Sequence, residues 1–230
     1  MQSFEVEIKS LLGSPERAEE LRQRMFALDP QTEFTSKNKQ LNHYFIPVQG
    51  ESGGGLSRLV ESVSDLVSEE GIVKLKDFAA RAKDFSVRTR QKDTDVILVV
   101  KASVDDTTSS NGISRMEFEE RVPATLEELD QRLLSAGFVY QAKWSREREE
   151  YRCKGSTICL DRNAGYGYLA EFEKVTDDAE AVEGVREDLR ELMGELGAEE
   201  LSQERLERMF SHYNAHWSDY YGTDKIFIIE

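Results

Sequence analysis

The sequence predicts an α+β protein built on a closed or nearly closed eight-stranded antiparallel β-barrel, with helices packed outside and a helical C-terminal segment. Three observations support this class. Apolar and polar residues alternate with period two in eight separate segments, which is typical of half-buried strands. Helical patterns with recognisable caps stand between some of these segments. Turn signals such as RNAGYG at 162–167 join neighbouring strands as hairpins.

The predicted strands begin and end where the alternation does. They cover 4–11, 40–47, 85–90, 96–103, 114–122, 143–153, 156–162 and 167–175. The first helix is predicted from Ser14 as N-cap and Pro15 as the first helical residue. Another helix starts at Thr125 and ends at Gly137, which is placed as a C-cap glycine.

Two helical segments complete the predicted organisation. An insert at about 52–84 has three consecutive glycines before its helices, and a C-terminal segment covers about 177–222. Because strands are spread over most of the chain, we expect residues 1–230 to form a single domain. The two cysteines, Cys153 and Cys159, are predicted to be reduced thiols, with a hairpin disulfide left open if they face each other.

The composition allows a packed core and excludes several function classes. The chain has 230 residues, is 39% hydrophobic, and contains eight Tyr, eleven Phe and two Trp, which argues against disorder. Its formal net charge of -15 argues against nucleic-acid or anionic-membrane partners, since both depend on an excess of Lys and Arg. No apolar run reaches the length of a membrane span, and a strand pattern follows Met1 without a signal peptide. We therefore expect a cytoplasmic protein.

The polar sides of the predicted strands carry both charge signs at high density. Side chains at every second position share a face, so Glu5, Glu7 and Lys9 lie together, opposite an apolar face. The same rule groups Arg88 with Arg90, Arg115 with Glu117, Glu119 and Arg121, Arg146 with Arg148, and Glu171 with Glu173. Helices must cover the apolar face, so we expect the charged face to turn into the barrel.

Charges inside a barrel must be paired or must bind ions. Carboxylates from the first and last strands would be neighbours and would form an oxygen site of the kind that Mg²⁺ and Mn²⁺ prefer. The Lys and Arg side chains would bind a polyanion, because a guanidinium makes forked hydrogen bonds to phosphate oxygens. Carboxylates for a metal and cations for phosphate together indicate phosphoryl or nucleotidyl transfer.

The order of these motifs resembles the CYTH family, the triphosphate tunnel metalloenzymes. Glu5-x-Glu7-x-Lys9 resembles the ExExK signature of the family, and the VRTR, VVKAS, EFEERV, REREEY and LDRNAGYGYLAEFE stretches follow in order. The resemblance covers about three quarters of the chain. It implies an eight-stranded antiparallel tunnel, two divalent metal ions (Mg²⁺ or Mn²⁺) and a small-molecule triphosphate substrate.

The resemblance also implies a role for each matching residue. The implied metal ligands are the carboxylates Glu5, Glu7, Asp161, Glu171 and Glu173. The implied substrate-binding residues are the cations Lys9, Arg88, Arg90, Lys101, Arg146 and Arg148. The predicted catalytic residues are Lys9, Glu117 and Glu119; the two carboxylates would act through ion pairs with the arginines or on a water at the metal.

Three positions depart from the family pattern or stay open. The insert is longer than the turn usual between these strands, and either caps the tunnel or mediates a homodimer. The C-terminal segment offers only Lys225 for the basic residue with which the family often plugs the tunnel. Tyr44 either hydrogen-bonds Lys9 or is an ordinary strand aromatic.

Three functions fit these residues. The first is a metal-dependent triphosphatase that hydrolyses inorganic triphosphate or a small organic triphosphate such as thiamine triphosphate. The second is a class IV-like adenylyl cyclase that converts ATP to cyclic AMP and pyrophosphate. The third, a non-catalytic binder of triphosphate or polyphosphate, is disfavoured because binding an anion does not require the carboxylates. The sequence contains no evident base-reading residue, which favours hydrolysis over cyclisation.

Overall fold

A computed structural model describes residues 4–48, 55–82, 84–103, 116–178 and 180–229. The strands are β1 Phe4–Leu11, β2 Glu33–Pro47, β3 Asp84–Lys92, β4 Asp95–Ser103, β5 Met116–Arg121, β6 Phe138–Cys153, β7 Ser156–Asn163 and β8 Gly167–Thr176. The helices are α1 Pro15–Leu28, α2 Gly55–Ser62, α3 Glu69–Arg81, α4 Leu126–Ser135, α5 Val182–Glu195 and α6 Gln203–Tyr220. The predicted α+β class is confirmed.

The eight strands form a sheet in the order β1-β8-β7-β6-β2-β3-β4-β5. Strand β8 pairs antiparallel with β1 and β7, and β7 pairs antiparallel with β6. Strand β3 pairs antiparallel with β2 and β4, and β4 pairs antiparallel with β5. The predicted eight-stranded antiparallel sheet is confirmed, including the neighbourhood of the first and last strands.

The described residues fall into two compact units. The terminal unit comprises the described residues of 4–39 and 145–229, and the central unit comprises those of 40–103 and 116–144. The expectation of a single domain over 1–230 stays a prediction.

In the terminal unit, the apolar side of β1 and β8 forms a core with α1 and α5. Val6, Ile8 and Phe172 are almost fully buried in this core. Because strand side chains alternate, burial of Val6 and Ile8 directs the side chains of Glu5 and Glu7 to the opposite face. Helix α1 begins as predicted, since the Ser14 side chain accepts a hydrogen bond from the first turn next to Pro15.

The C-terminal residues of the terminal unit pack against the β7–β8 turn. Gly165 donates its N–H to the carbonyl of Lys225 and accepts from the N–H of Phe227. A Cβ on Gly165 would lie 2.6 Å from the ring of Tyr213, and its φ of +84° lies in the left-handed region, so glycine is required here. The side chain of Lys225 is exposed.

In the central unit, helices α2, α3 and α4 cover the apolar side of β3, β4 and β5. Val87, Leu98 and Val100 are fully buried there. Helix α4 begins with a capping box, in which Thr125 and Glu128 satisfy each other's backbone N–H groups, as expected for a helix that starts at this threonine. The predicted end at Gly137 is consistent with its φ of +86°.

Strands β2 and β6 are longer than predicted. Strand β2 starts at Glu33 rather than 40. The prediction missed residues 33–39 because most of their side chains are exposed on both faces, so no apolar alternation marks them. The insert contains α2 and α3, and α3 starts at Glu69 with Ser68 as N-cap. The first two of the three consecutive glycines lie outside the described residues, whereas Gly55 begins α2; Arg115, in the strand predicted at 114–122, also lies outside them.

Both cysteines are buried free thiols, as predicted. The register places Cys153 opposite Ser156 and Cys159 opposite Glu150, so the two cysteines do not face each other across the hairpin. Among the described residues, no helix combines the length and apolarity needed to cross a membrane.

Candidate active site

Three carboxylates converge on the polar side of β1 and β8 in the terminal unit. The register sets Glu7 directly opposite Glu173, with Glu5 two residues away on the same face. One oxygen from each of these three side chains lies within 4.8 Å of the others, and all three residues are half-buried. Such a set of hard oxygen donors suits a divalent cation.

This convergence changes the protonation of Glu173. Burial, together with the nearby carboxylates of Glu171 and Glu5, raises the pKa of Glu173 to about 8. Without a metal ion, the site therefore holds a proton on this carboxyl group near neutral pH. A bound cation would favour the ionised form instead.

Glu171 has the opposite behaviour, because cations surround it. Its carboxylate contacts Arg148 and lies 3.6 Å from the ammonium of Lys9 and 3.7 Å from Arg146. Burial opposes its ionisation, but these cations outweigh burial and hold the pKa of Glu171 well below its usual range. Lys9 also pairs with Glu7, so it connects the two kinds of carboxylate.

Asp161 is fully buried and binds two arginines. Arg148 grips it as a fork, with Nε to Oδ1 and Nη2 to Oδ2 both at 2.7 Å, and Arg146 Nη1 donates to Oδ2 at 2.7 Å. The terminal unit thus brings together five predicted carboxylates (Glu5, Glu7, Asp161, Glu171, Glu173) and three predicted cations (Lys9, Arg146, Arg148). If all are ionised, this group carries an excess of two negative charges, which a divalent ion would neutralise.

In the central unit, Arg88 is held by an aromatic side chain. Its Nη1 donates to the hydroxyl of Tyr44 at 2.9 Å, and its guanidinium carbon lies 5.0 Å from the centre of the Tyr44 ring. The Nε of Arg88 is buried and has no hydrogen-bond partner among the described residues. Tyr44 therefore supports Arg88, a residue predicted to bind phosphate; this contact differs from both predicted alternatives, a hydrogen bond to Lys9 and an ordinary strand aromatic.

The other predicted residues of the central unit form pairs. Arg90 donates to Asn42 at 3.0 Å and to Glu119 at 3.2 Å. The ammonium of Lys101 lies 3.2 Å from the carboxylate of Glu117. Glu119 pairs with an arginine, as expected, whereas Glu117 pairs with a lysine; the catalytic role of both carboxylates stays a prediction.

Comparison with known proteins assigns the chain to a family. A family model described as the CYTH domain matches residues 3–206. The chain belongs to the CYTH domain family. The resemblance drawn from the sequence motifs is confirmed, and so is the expected fold. No curated protein matches the sequence.

Solved structures with the CYTH fold resemble this chain at low sequence identity. The PH1819 protein of Pyrococcus horikoshii OT3 has a TM-score of 0.60 and 21% identity, covering 89% of this chain and 99% of its own. A candidate adenylate cyclase of Vibrio parahaemolyticus has a TM-score of 0.59 and 17% identity, and the match covers 92% of this chain and 99% of its own. A candidate adenylyl cyclase of Hippeastrum is described as having a dominant triphosphatase activity. It has a TM-score of 0.50 and 18% identity, and the match covers 92% of this chain and 96% of its own. At these identities the likeness shows a shared fold.

Two features of this CYTH chain were not found from the sequence. Cys159 alternates with Asp161 on β7 and lies near Arg148 and Glu171, so it belongs to the charged face rather than to the apolar core. Burial raises the pKa of its thiol. Asp130 of α4 is buried at a position where the helix otherwise presents leucine. In both cases periodicity carried the signal, since each residue falls on the opposite face from the one its polarity suggests.

Proposed function

We propose that this CYTH protein is a divalent-metal-dependent triphosphatase that acts on inorganic triphosphate or on a small organic triphosphate. One observation carries the proposal: Glu5, Glu7 and Glu173 present oxygens within 4.8 Å of one another, next to the cations that pair with Glu171 and Asp161. A protein that only binds an anion has no need of converging carboxylates, because they repel the ligand.

The residues present fit a hard divalent ion such as Mg²⁺ or Mn²⁺. Glu5, Glu7 and Glu173 would hold it, because their oxygens already converge. Asp161 and Glu171 are bound to arginines here, and their role at a metal, like the presence of a second ion, stays a prediction. When bound, the ion offsets negative charge on phosphate oxygens and acidifies water.

The cations of the chain would bind and orient the phosphates. Arg88 carries a buried Nε that can donate to a phosphate oxygen, and the ring of Tyr44 fixes its plane. Arg90 and Lys101 would donate further hydrogen bonds to the phosphates. Lys9, a residue of the terminal unit, would neutralise part of the phosphate charge. Glu117 or Glu119 would accept a proton from the attacking water. A cytoplasmic location and a homodimer formed through the insert stay predictions.

The test is an assay of the purified protein with Mg²⁺ or Mn²⁺ and, separately, inorganic triphosphate, ATP and thiamine triphosphate. Phosphate release and cyclic AMP are measured together. We expect phosphate release that requires the metal and no cyclic AMP. Cyclic AMP as the main product from ATP would favour the cyclase, and tight binding of triphosphate without turnover would favour the binder.

A variant pair locates the activity in the carboxylate cluster. Glu7→Gln should lower metal-dependent turnover by about 100-fold, because it removes a ligand charge while keeping the side-chain shape. Glu147→Gln is the matched control. The carboxylate of Glu147, on β6, lies 3.2 Å from the ammonium of Lys39 and is not part of the cluster. Equal turnover in the two variants would remove the cluster from the proposed mechanism.

A further inference from the structure

A buried carboxylate lies beneath the arginine-bearing strands of the central unit. Asp130 of α4 is only 3% exposed. Its Oδ2 lies 2.6 Å from Nδ1 of His43 on β2 and accepts the hydroxyl of Tyr140 on β6 at 2.7 Å. Its Oδ1 accepts the hydroxyl of Thr89 on β3 at 2.6 Å. One helix residue is thus hydrogen-bonded to three strands.

The position of this network in the strand register is specific. His43 and Thr89 face each other across β2 and β3. The rungs on either side are Tyr44 with Arg88 and Asn42 with Arg90, which are the two arginine rungs. Because side chains alternate, the Asp130 network lies on the helix side of the rung between them.

Asp130 is ionised, and both of its carboxylate oxygens accept hydrogen bonds. Burial opposes ionisation of Asp130, but the hydrogen bonds from His43, Thr89 and Tyr140 outweigh it and lower its pKa. A carboxylate can only accept, so Nδ1 of His43 carries a proton and donates it.

An apolar residue at this position would be simpler for packing alone. The neighbouring core positions of α4 are Leu126, Leu129 and Leu133, and a buried carboxylate is costly unless every hydrogen bond is made. The carboxylate adds specificity for one strand register, because it accepts hydrogen bonds from His43 on β2 and from Thr89 on β3. A slip of β2 by one residue would break the bond from His43, and a slip of β3 would break the bond from Thr89 and move Arg88 and Arg90 to the other face.

We propose that Asp130 is a positioning residue, which fixes the β2–β3 register so that Arg88 and Arg90 are correctly placed for a triphosphate. The inference rests on the proposed function, because it assigns these arginines to the substrate phosphates. Asp130 acts through His43 and Thr89 and does not touch the substrate.

The first test separates the hydrogen bond from the volume of the side chain. Thr89→Val removes one donor to Asp130 with little change in size, and Thr89→Ser keeps the hydroxyl. We expect Thr89→Val to raise KM for inorganic triphosphate about tenfold with a smaller change in kcat, since it misplaces groups that bind the ground state. Thr89→Ser should return KM to within about twofold of the unaltered protein. An unchanged KM in Thr89→Val would overturn the proposal.

The second test separates positioning from loss of stability. Asp130→Asn and Leu133→Val both disturb the buried face of α4, but only the first touches the network. Urea unfolding shows how much each destabilises, and KM is measured where both are folded. We expect a raised KM in Asp130→Asn only. A raised KM in both would show that general loosening of α4 is sufficient.

The outcome distinguishes this inference from the proposed function. If the unaltered protein turns over no triphosphate, the proposed function fails, and the same comparison is made with the Kd for inorganic triphosphate measured by calorimetry. A Kd that is weakened about tenfold by Thr89→Val and restored by Thr89→Ser would support positioning by Asp130 without catalysis. Equal Kd values in all variants would contradict the positioning role of Asp130, independently of the proposed function.

Discussion

The arginines of the terminal unit bind carboxylates, whereas Arg88 of the central unit binds a neutral phenol. Arg148 and Arg146 both donate to the buried Asp161, and Arg148 also contacts Glu171. Arg88 donates instead to Tyr44, and its Nε stays buried without a partner among the described residues. The same side-chain type therefore has two physical roles. Beside Asp161 it neutralises a buried acid, and beside Tyr44 it keeps positive charge available for an anion.

The difference follows from which residues lie opposite the arginines. On β6 and β7 the register puts Arg148 opposite Asp161, so a charged fork forms inside the unit. On β2 and β3 it puts Arg88 opposite Tyr44, which accepts a hydrogen bond and supports the guanidinium without cancelling its charge. The proposal that the terminal unit holds a cation thus depends on its carboxylates, and the proposal that the central unit holds an anion depends on Arg88.

The largest expected effect is on the buried fork. Asp161→Asn would leave two arginines without the charge they surround, and we expect it to lower the free energy of unfolding by about 3–5 kcal/mol. Urea unfolding without metal measures it. The comparison sharpens with Asp65→Asn, since Asp65 makes the same two-bond fork with Arg132 at 2.8 and 2.9 Å but on the surface. We expect little change there. Similar losses in the two variants would show that the Arg148 fork contributes no more than a surface pair.

A second prediction concerns the pH dependence of the metal-free protein. The pKa of Glu173 is raised to about 8, so the folded state keeps a proton that the unfolded state releases near its ordinary value of 4.5. This contribution to stability is complete below that lower value and is lost as pH rises towards 8. We expect the free energy of unfolding to fall by roughly 2–4 kcal/mol across this interval.

The origin of this dependence is tested with Glu173→Gln, which should flatten the profile, and with Glu147→Gln, which should not. Saturating Mg²⁺ should also flatten it, because an ion favours the ionised carboxylates and stabilises the folded state more at high pH. A profile that keeps its slope in Glu173→Gln would assign the dependence to another group.

Most of the carboxylate cluster of the terminal unit could be predicted from the sequence, because alternation shows which side chains share a face. Once Val6 and Ile8 are buried, Glu5 and Glu7 must share the other face, and the same reasoning holds for Glu171 and Glu173 on β8. The meeting of β1 with β8 required a further expectation, that the sheet closes or nearly closes and so makes the first and last strands neighbours.

Other features could not be predicted, since they depend on which helix packs beneath which rung. No spacing rule links Asp130 on α4 to Thr89 on β3, which are 41 residues apart. The hydrogen-bond partners of the arginines could not be predicted from the sequence either. The sequence placed Arg88 and Arg148 on charged faces alike, and only the register shows that one faces a phenol and the other a carboxylate.

The smallest effect we predict is the one most specific to the central unit. Arg88→Ala should raise KM for triphosphate about tenfold, because it removes a cation whose charge is not cancelled by Tyr44. Its effect on the free energy of unfolding should be much smaller than that of Asp161→Asn, since no carboxylate loses its counter-charge in the Arg88–Tyr44 pair. Arg88→Lys should fall between the unaltered protein and Arg88→Ala, because it keeps the charge but loses the planar fork.

Arg121→Ala controls for the loss of positive charge, as Arg121 is exposed on β5 and pairs with Asp95 at 2.5 Å. Steady-state kinetics and urea unfolding on the same preparations decide between the two roles of arginine. If Arg88→Ala proved as destabilising as Asp161→Asn and left KM unchanged, the arginines of both units would be structural. The contrast between the arginines that bind Asp161 and the one that contacts Tyr44 would then be lost.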